Sequence, residues 1–159
     1  MSDSLFQDIG AYLKGAYALA QATITAGAGN DNVAVNGAVI DLWQWGNSRP
    51  RSAVLLIQWT TTLAANKSLS IAAKLQDDTV SAFNGTPADF GTALASAIVA
   101  SGGGGGATVT GVTPYKLPII GARRYVRPTV TADLSATGTD TVALNAILVV
   151  AGFDQLPAS

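Results

Sequence analysis

The chain has 159 residues, 48% of them hydrophobic and only 12% charged, and nine Lys and Arg against ten acids leave a net charge of −1. With no cysteine, disulfides, thiolate metal sites and thiol nucleophiles are excluded, and with no histidine the commonest general base and metal ligand is missing. Near-neutrality leaves no global field to draw the protein onto nucleic acid or anionic lipid, so neither is expected as a partner.

All the acids are aspartate, which withdraws a good helix former and keeps a turn former. The charged fraction is about half that of an ordinary soluble domain, and something other than water is expected to cover part of the surface. The length suits one domain with a single core. Residues 1–8 lack the basic start and apolar core of a signal peptide, and no apolar run approaches the roughly 18 residues of a membrane span. The expectation is a soluble chain made in the cytoplasm, with no membrane partner.

In chain order, Leu5, Ile9, Tyr12, Leu13 and Ala16 recur at spacings of three and four, as on one face of a helix. Gly10 and Gly15 weaken that pattern, so residues 1–19 read as a short helix or an extended arm ahead of a single β-sandwich domain at 20–159. From Ala20 the period becomes two, the repeat of a half-buried strand. Ala20, Ala22, Ile24 and Ala26 alternate with polar residues, then Gly27, Gly29, Asn30 and Asp31 supply a turn. A strand is expected over 33–43. Ala53, Leu55, Ile57 and Trp59 share one face, and Leu69, Ile71, Ala73 and Leu75 form the cleanest alternation of all. Residues 92–99 read as a strand, although Phe90, Leu94 and Ile98 also fit a helical face. The glycine run 102–106 predicts a mobile surface loop, followed by strands at 108–112 and 115–120. Val126, Val130, Ala132 and Leu134 share a face, and Pro128 within that run predicts an edge strand or a bulge. The segment 142–151 is apolar on both faces, which places it centrally or in a subunit contact. About nine short strands separated by turn residues indicate an all-β, antiparallel sandwich or barrel.

No chemical motif assembles. The stretch around Gly27, Gly29 and Asp31 is similar to one copy of a calcium-binding nonapeptide repeat, but a single copy cannot complete a ligand shell, so a plain turn and no metal are expected. Asp77 and Asp78 read as solvated loop charges. A hydroxyl nucleophile would need Lys as its base, and no Ser-x-x-Lys motif occurs. Two regions could bind a partner. Trp43 and Trp45 would face the same way on a strand, and Arg49 and Arg51 follow. Together they form either an exposed aromatic platform, suited to protein, carbohydrate or single-stranded nucleic acid, or a core filling with arginines capping its rim. Arg123, Arg124 and Arg127 could dock an acidic patch or a phosphate, or pair with aspartates of this chain.

One order of features carries a resemblance. It runs Ala73-Lys74-Leu75-Gln76-Asp77-Asp78, a glycine-rich loop, Gly121-Ala122-Arg123-Arg124-Tyr125-Val126-Arg127-Pro128, a threonine-rich strand, and an apolar strand closing at Gly152-Phe153. Over residues 20–155 it resembles the head decoration or cement proteins of tailed phages, nearest to the Bordetella-phage type. The resemblance implies a jelly-roll-like sandwich, a small homo-oligomer (dimer or trimer), attachment to major capsid protein on the exterior of the virion, and no cofactor or catalysis. A carbohydrate-binding sandwich and a tail or neck protein are the alternatives. The expected contacts are Leu5, Phe6, Ile9, Tyr12 and Leu13 of the N-terminal segment, Trp43, Trp45, Arg49 and Arg51, and Arg123, Arg124 and Arg127.

Overall fold

A computed structural model describes residues 12–46, 48–136 and 138–153. Its nine strands are β1 (Lys14–Thr25), β2 (Ala34–Asn36), β3 (Ile40–Asp41), β4 (Ser52–Leu63), β5 (Ser68–Asp78), β6 (Ala88–Ser101), β7 (Ala107–Pro118), β8 (Tyr125–Leu134) and β9 (Thr141–Ala151). They form two antiparallel sheets. Sheet A has the order β1-β9-β4-β7, and sheet B the order β2-β8-β5-β6 with β3 also on β8. Taking β2 and β3 as halves of one interrupted strand, every connection between strands changes sheet except the β5–β6 hairpin. This interleaving is the order of an eight-stranded jelly roll. The expected fold class, a jelly-roll-like antiparallel β-sandwich, is the one found.

Alternation builds the core. Leu55, Ile57 and Trp59 of β4 and Leu144, Leu148 and Val150 of β9 are buried, as are Leu69, Ile71 and Leu75 of β5 and Val126, Val130 and Leu134 of β8. Each such side chain contributes roughly 1.5–3 kcal/mol relative to exposure. β9 is central in sheet A, between β1 and β4. Its second apolar face, with Ile147 and Val149, therefore points outward.

Several expectations need correction. β8 is not an edge strand, because it lies between β2/β3 and β5. Pro128 is accommodated because the neighbouring strand is broken opposite it. There the Pro128 carbonyl accepts from Gly37 N–H at 2.8 Å, between β2 and β3. A Cβ on Gly37 would collide with the Ala18 carbonyl and come within 2.8 Å of Pro128 Cγ, so the break needs glycine. The expected strand at 33–43 is consequently two short pieces followed by turn residues 42–46.

The strands expected at 108–112 and 115–120 are one strand, β7. It tolerates Pro114 because it is an edge, paired among the described residues only with β4. Gly111 makes room there for the ring of Trp59, whose Nε1–H donates to Thr113 Oγ1 at 3.0 Å. The change of period expected at Ala20 falls inside β1, which already starts at Lys14. The glycine run is held down at its start: Gly102 is buried, its N–H donates to the Lys67 carbonyl at 2.8 Å, and Gly103–Gly105 form a 3-10 turn.

Candidate docking surface

Strand register gathers the start of β1, β4 and β8 and the end of β5, β7 and β9 at one end of the sandwich. Loops 42–51, 79–87 and 119–124 close this end. Every Lys and Arg except Lys67 and Lys74 lies in these loops, within a few residues of them, or, for Lys14, at the start of β1 at the same end.

Trp43 is built into this end by a turn. Asp41 closes β3, its Oδ1 accepts from Trp43 N–H at 2.9 Å, and its carbonyl accepts from Gln44 N–H at 3.1 Å. Arg124 then clamps Asp41 through Nε at 3.0 and 3.1 Å and Nη2 at 2.7 Å. Its guanidinium carbon lies 4.9 Å from the Trp43 ring centre and 5.1 Å from that of Tyr125. Arg49 also approaches the same indole, to 5.4 Å, and donates to the Ala122 carbonyl at 3.2 Å. Trp43 remains 48% exposed. It is a large aromatic side chain in contact with two cations and still open to a partner. The hydrogen bond from Arg124 pulls the Asp41 carboxyl below its ordinary value, against the opposing effect of burial.

Trp45 does not join it. The turn breaks the strand parity that would align the two rings, and Trp45 is buried edge-on against Phe153, with centroids 6.0 Å apart. The two tryptophans therefore split the alternatives, one exposed and one in the core. Next to Trp43 a cleft of about 220 Å³ is lined by Leu42, Arg49, Pro50, Arg51, Ile119 and Ile120 among others. Ile120 is 68% exposed. The titratable side chains lining this cleft are cations, so it holds no acid–base pair.

The three clustered arginines find partners within the chain. Arg123 donates through Nε to Asp77 Oδ1 at 2.8 Å, through its backbone N–H to Oδ2 at 2.8 Å, and through Nη1 to the Thr86 carbonyl at 2.7 Å. Arg127 donates to Gln76 Oε1 at 2.8 Å and packs 4.3 Å from the Phe83 ring centre. Asp77 and Asp78, expected as solvated charges, are both buried. Asp77 holds Arg123. Asp78 accepts backbone N–H groups of Thr79, Val80, Gly85 and Thr86 and so shapes the β5–β6 loop. Burial pushes the Asp78 carboxyl up, but these four donors together outweigh it and hold it below the ordinary value. Asp31, in the calcium-like stretch, is used by the backbone, accepting from Gly27 and Leu134.

Of the N-terminal residues singled out, Leu5, Phe6 and Ile9 lie outside the described residues. Tyr12 and Leu13 immediately precede β1, at the same end as Trp43, and Leu13 is exposed. Sequence reasoning missed Asp41 and Ile120. The first carried a signal, an aspartate two residues before Trp43 where an Asx turn can form.

No protein-family model and no curated protein matches this chain. Among solved structures, it is similar to the infectious bursal disease virus VP2 subviral particle, with a TM-score of 0.43 at 14% identity, over 87% of this chain and 31% of that one. It is similar to T=1 particles derived from the same virus, with a TM-score of 0.43 at 14% identity over 87% and 30% of the two chains. The Gx strain of that virus gives a TM-score of 0.41 at 14% identity over 88% and 31%. The chain spans about a third of the length of these proteins. The jelly-roll assignment rests on the strand order described above and not on them.

Proposed function

We propose that the protein is a structural component of a virus particle, binding the exterior of a tailed-phage capsid and reinforcing contacts between major capsid proteins through the end of the sandwich that carries Trp43. The observation that carries this reading is an exposed tryptophan already immobilised by Arg49 and Arg124. Interface hot spots are enriched in Trp and Arg, and a side chain ordered before binding loses little entropy on docking. The sequence resemblance to cement proteins supplies the class of partner. Repetition of the site over a shell raises the avidity of a weak single contact.

The test is co-sedimentation of the purified protein with matching capsids that lack it, together with heat challenge of those capsids. Trp43→Ala is expected to weaken shell binding by about 30-fold, the cost of a hot-spot truncation of about 2 kcal/mol, with an unchanged melting temperature. Equal binding by Trp43→Ala, or shells that resist heat no better with the protein than without it, would reject the reading.

A further inference from the structure

The outer face of sheet A has no role in the docking described above, and its chemistry is ordered in rows. Register places Gly15, Val149, Val54 and Lys116 side by side, then Tyr17, Ile147, Leu56 and Pro114. Beyond these come Asn145, Gln58 and Val112, with Gln21 beside them in a shallow depression, then Thr23, Ala143, Thr60 and Thr110, and finally Thr25, Thr141, Thr62 and Thr108. Lys116, at the β7 edge, is the one charged side chain on this face among the described residues. Tyr17 is 62% exposed and Val112 55%. An apolar band of this extent on a sheet that no other described residues cover marks a contact surface.

We propose that this face is a two-fold interface with a second copy of the chain. Because the rows run across the strands, a two-fold axis lying between the faces and parallel to β4 and β9 sets each row against the same row of the other copy. Ile147 then meets the partner's Leu56, and Tyr17 the partner's Pro114. Asn145 meets the partner's Gln58, and carboxamides both donate and accept, so the pair is self-satisfying. Among the described residues, no side-chain hydrogen bond engages the carboxamides of Gln21, Gln58 and Asn145, which leaves them available to the partner. Lys116 comes opposite the partner's Gly15 at the rim, where its ammonium stays in water. Such an isologous contact keeps the strands of the facing sheets nearly aligned, as sandwich packing favours.

The area is sufficient. The four strands are 12, 11, 12 and 12 residues long across the sheet. At about 4.8 Å between strands and about 3.3 Å per residue they make a face of about 700 Å². A stable interface takes about 600–1,000 Å² from each partner.

Sedimentation equilibrium of the full chain is expected to give twice the monomer mass. Ile147→Asp is expected to weaken association at least tenfold, and so is Val112→Lys, a substitution at a position exposed enough to leave the fold intact. Trp43→Ala, at the other surface, is expected to leave association unchanged. When Asn145→Asp chains are mixed with Gln58→Lys chains, native mass spectrometry is expected to show mixed dimers in excess of the statistical half. A wild-type monomer at the highest soluble concentration would overturn the proposal. So would an oligomer indifferent to both face variants, mixed dimers at the statistical share, or a monomer that binds neutral oligosaccharide at the carboxamide row.

Discussion

On the outer face of sheet B, Lys74 donates to Asp89 at 2.9 Å, Gln76 donates to the same carboxylate at 3.0 Å, and Arg127 donates to Gln76. These two rows of that face thus satisfy one another, and the large apolar side chain it exposes, Ile98, stands away from them opposite Ser70. The outer face of sheet A has the same strand geometry and almost the same length, yet among the described residues it carries one cation at its rim and an apolar band through its middle. The low charge of the chain is therefore not spread evenly. It is concentrated as a deficit on one layer of the sandwich, where the side-chain hydrogen bonds join only threonines of the far rows, Thr60 to Thr110 and Thr62 to Thr108, both at 3.1 Å. An average composition reports how much surface is uncharged; the pairing of strands decides whether that surface is scattered or contiguous.

The contrast can be broken most directly within β9, where neighbouring residues point to opposite sides. Leu148 is fully buried between the sheets, and Ile147 is 38% exposed on the outer face. Leu148→Ala is expected to destabilise the protein by about 3 kcal/mol, read from urea unfolding. Ile147→Ala, measured below the concentration at which copies associate, is expected to cost within about 1 kcal/mol. At association concentrations the Ile147 variant should fall behind wild type, since binding between folded copies adds to apparent stability. Equal losses in dilute protein would mean that the fold itself buries Ile147, and the two layers would no longer differ in kind.

Much of the sandwich was legible because period-two alternation reports burial directly, as in residues 69–75 and 142–150. Which strands are neighbours was not legible. The row that joins Tyr17 to Ile147, Leu56 and Pro114 spans positions 17 to 147 and exists only once register is known. Pro128 was misjudged because its missing N–H is absorbed by a break in the partner strand, which no local pattern displays. Trp43 and Trp45 were placed on one face because a strand was assumed through residue 43, whereas Asp41 ends it by capping the turn. The arginine cluster was correctly seen as a concentration of charge. Its partners, Asp77 and Asp41, lie 46 and 83 residues away along the chain, beyond the reach of spacing rules.

Acid should act on the sheet B side and on the Trp43 end before it touches sheet A. The carboxyls of Asp41, Asp78 and Asp89 are all held below the ordinary value of 3.8. For Asp89 the leading cause is the hydrogen bond from Lys74. A carboxyl whose folded-state pKa is depressed contributes stability that is fully present above the unfolded value and is lost as pH falls through the folded value. The midpoint of urea unfolding is thus expected to stay level from neutral pH down to about 5 and to drop below about 4. Asp78→Asn should flatten part of that drop, because one of the three depressed carboxyls is gone. A midpoint independent of pH down to 3 would contradict the hydrogen-bond assignments at all three aspartates.

The smallest effect expected is at the Lys74–Asp89 pair, and it sharpens the comparison for that reason. Both side chains are well exposed, at 39% and 58%, so solvent and salt screen their attraction and Lys74→Ala should cost about 0.5 kcal/mol or less. Raising ionic strength should weaken even that, since such charges are shielded over about a Debye length. Self-association through sheet A should respond the other way. Its contacts are apolar and carboxamide, and a sulfate salt, being excluded from protein surface, favours their burial. Sedimentation equilibrium at increasing ammonium sulfate should show the association constant holding or rising while the Lys74 effect on unfolding vanishes. A constant that fell with salt in parallel would place charged groups in the contact and move the interface away from the face where Lys116 stands alone.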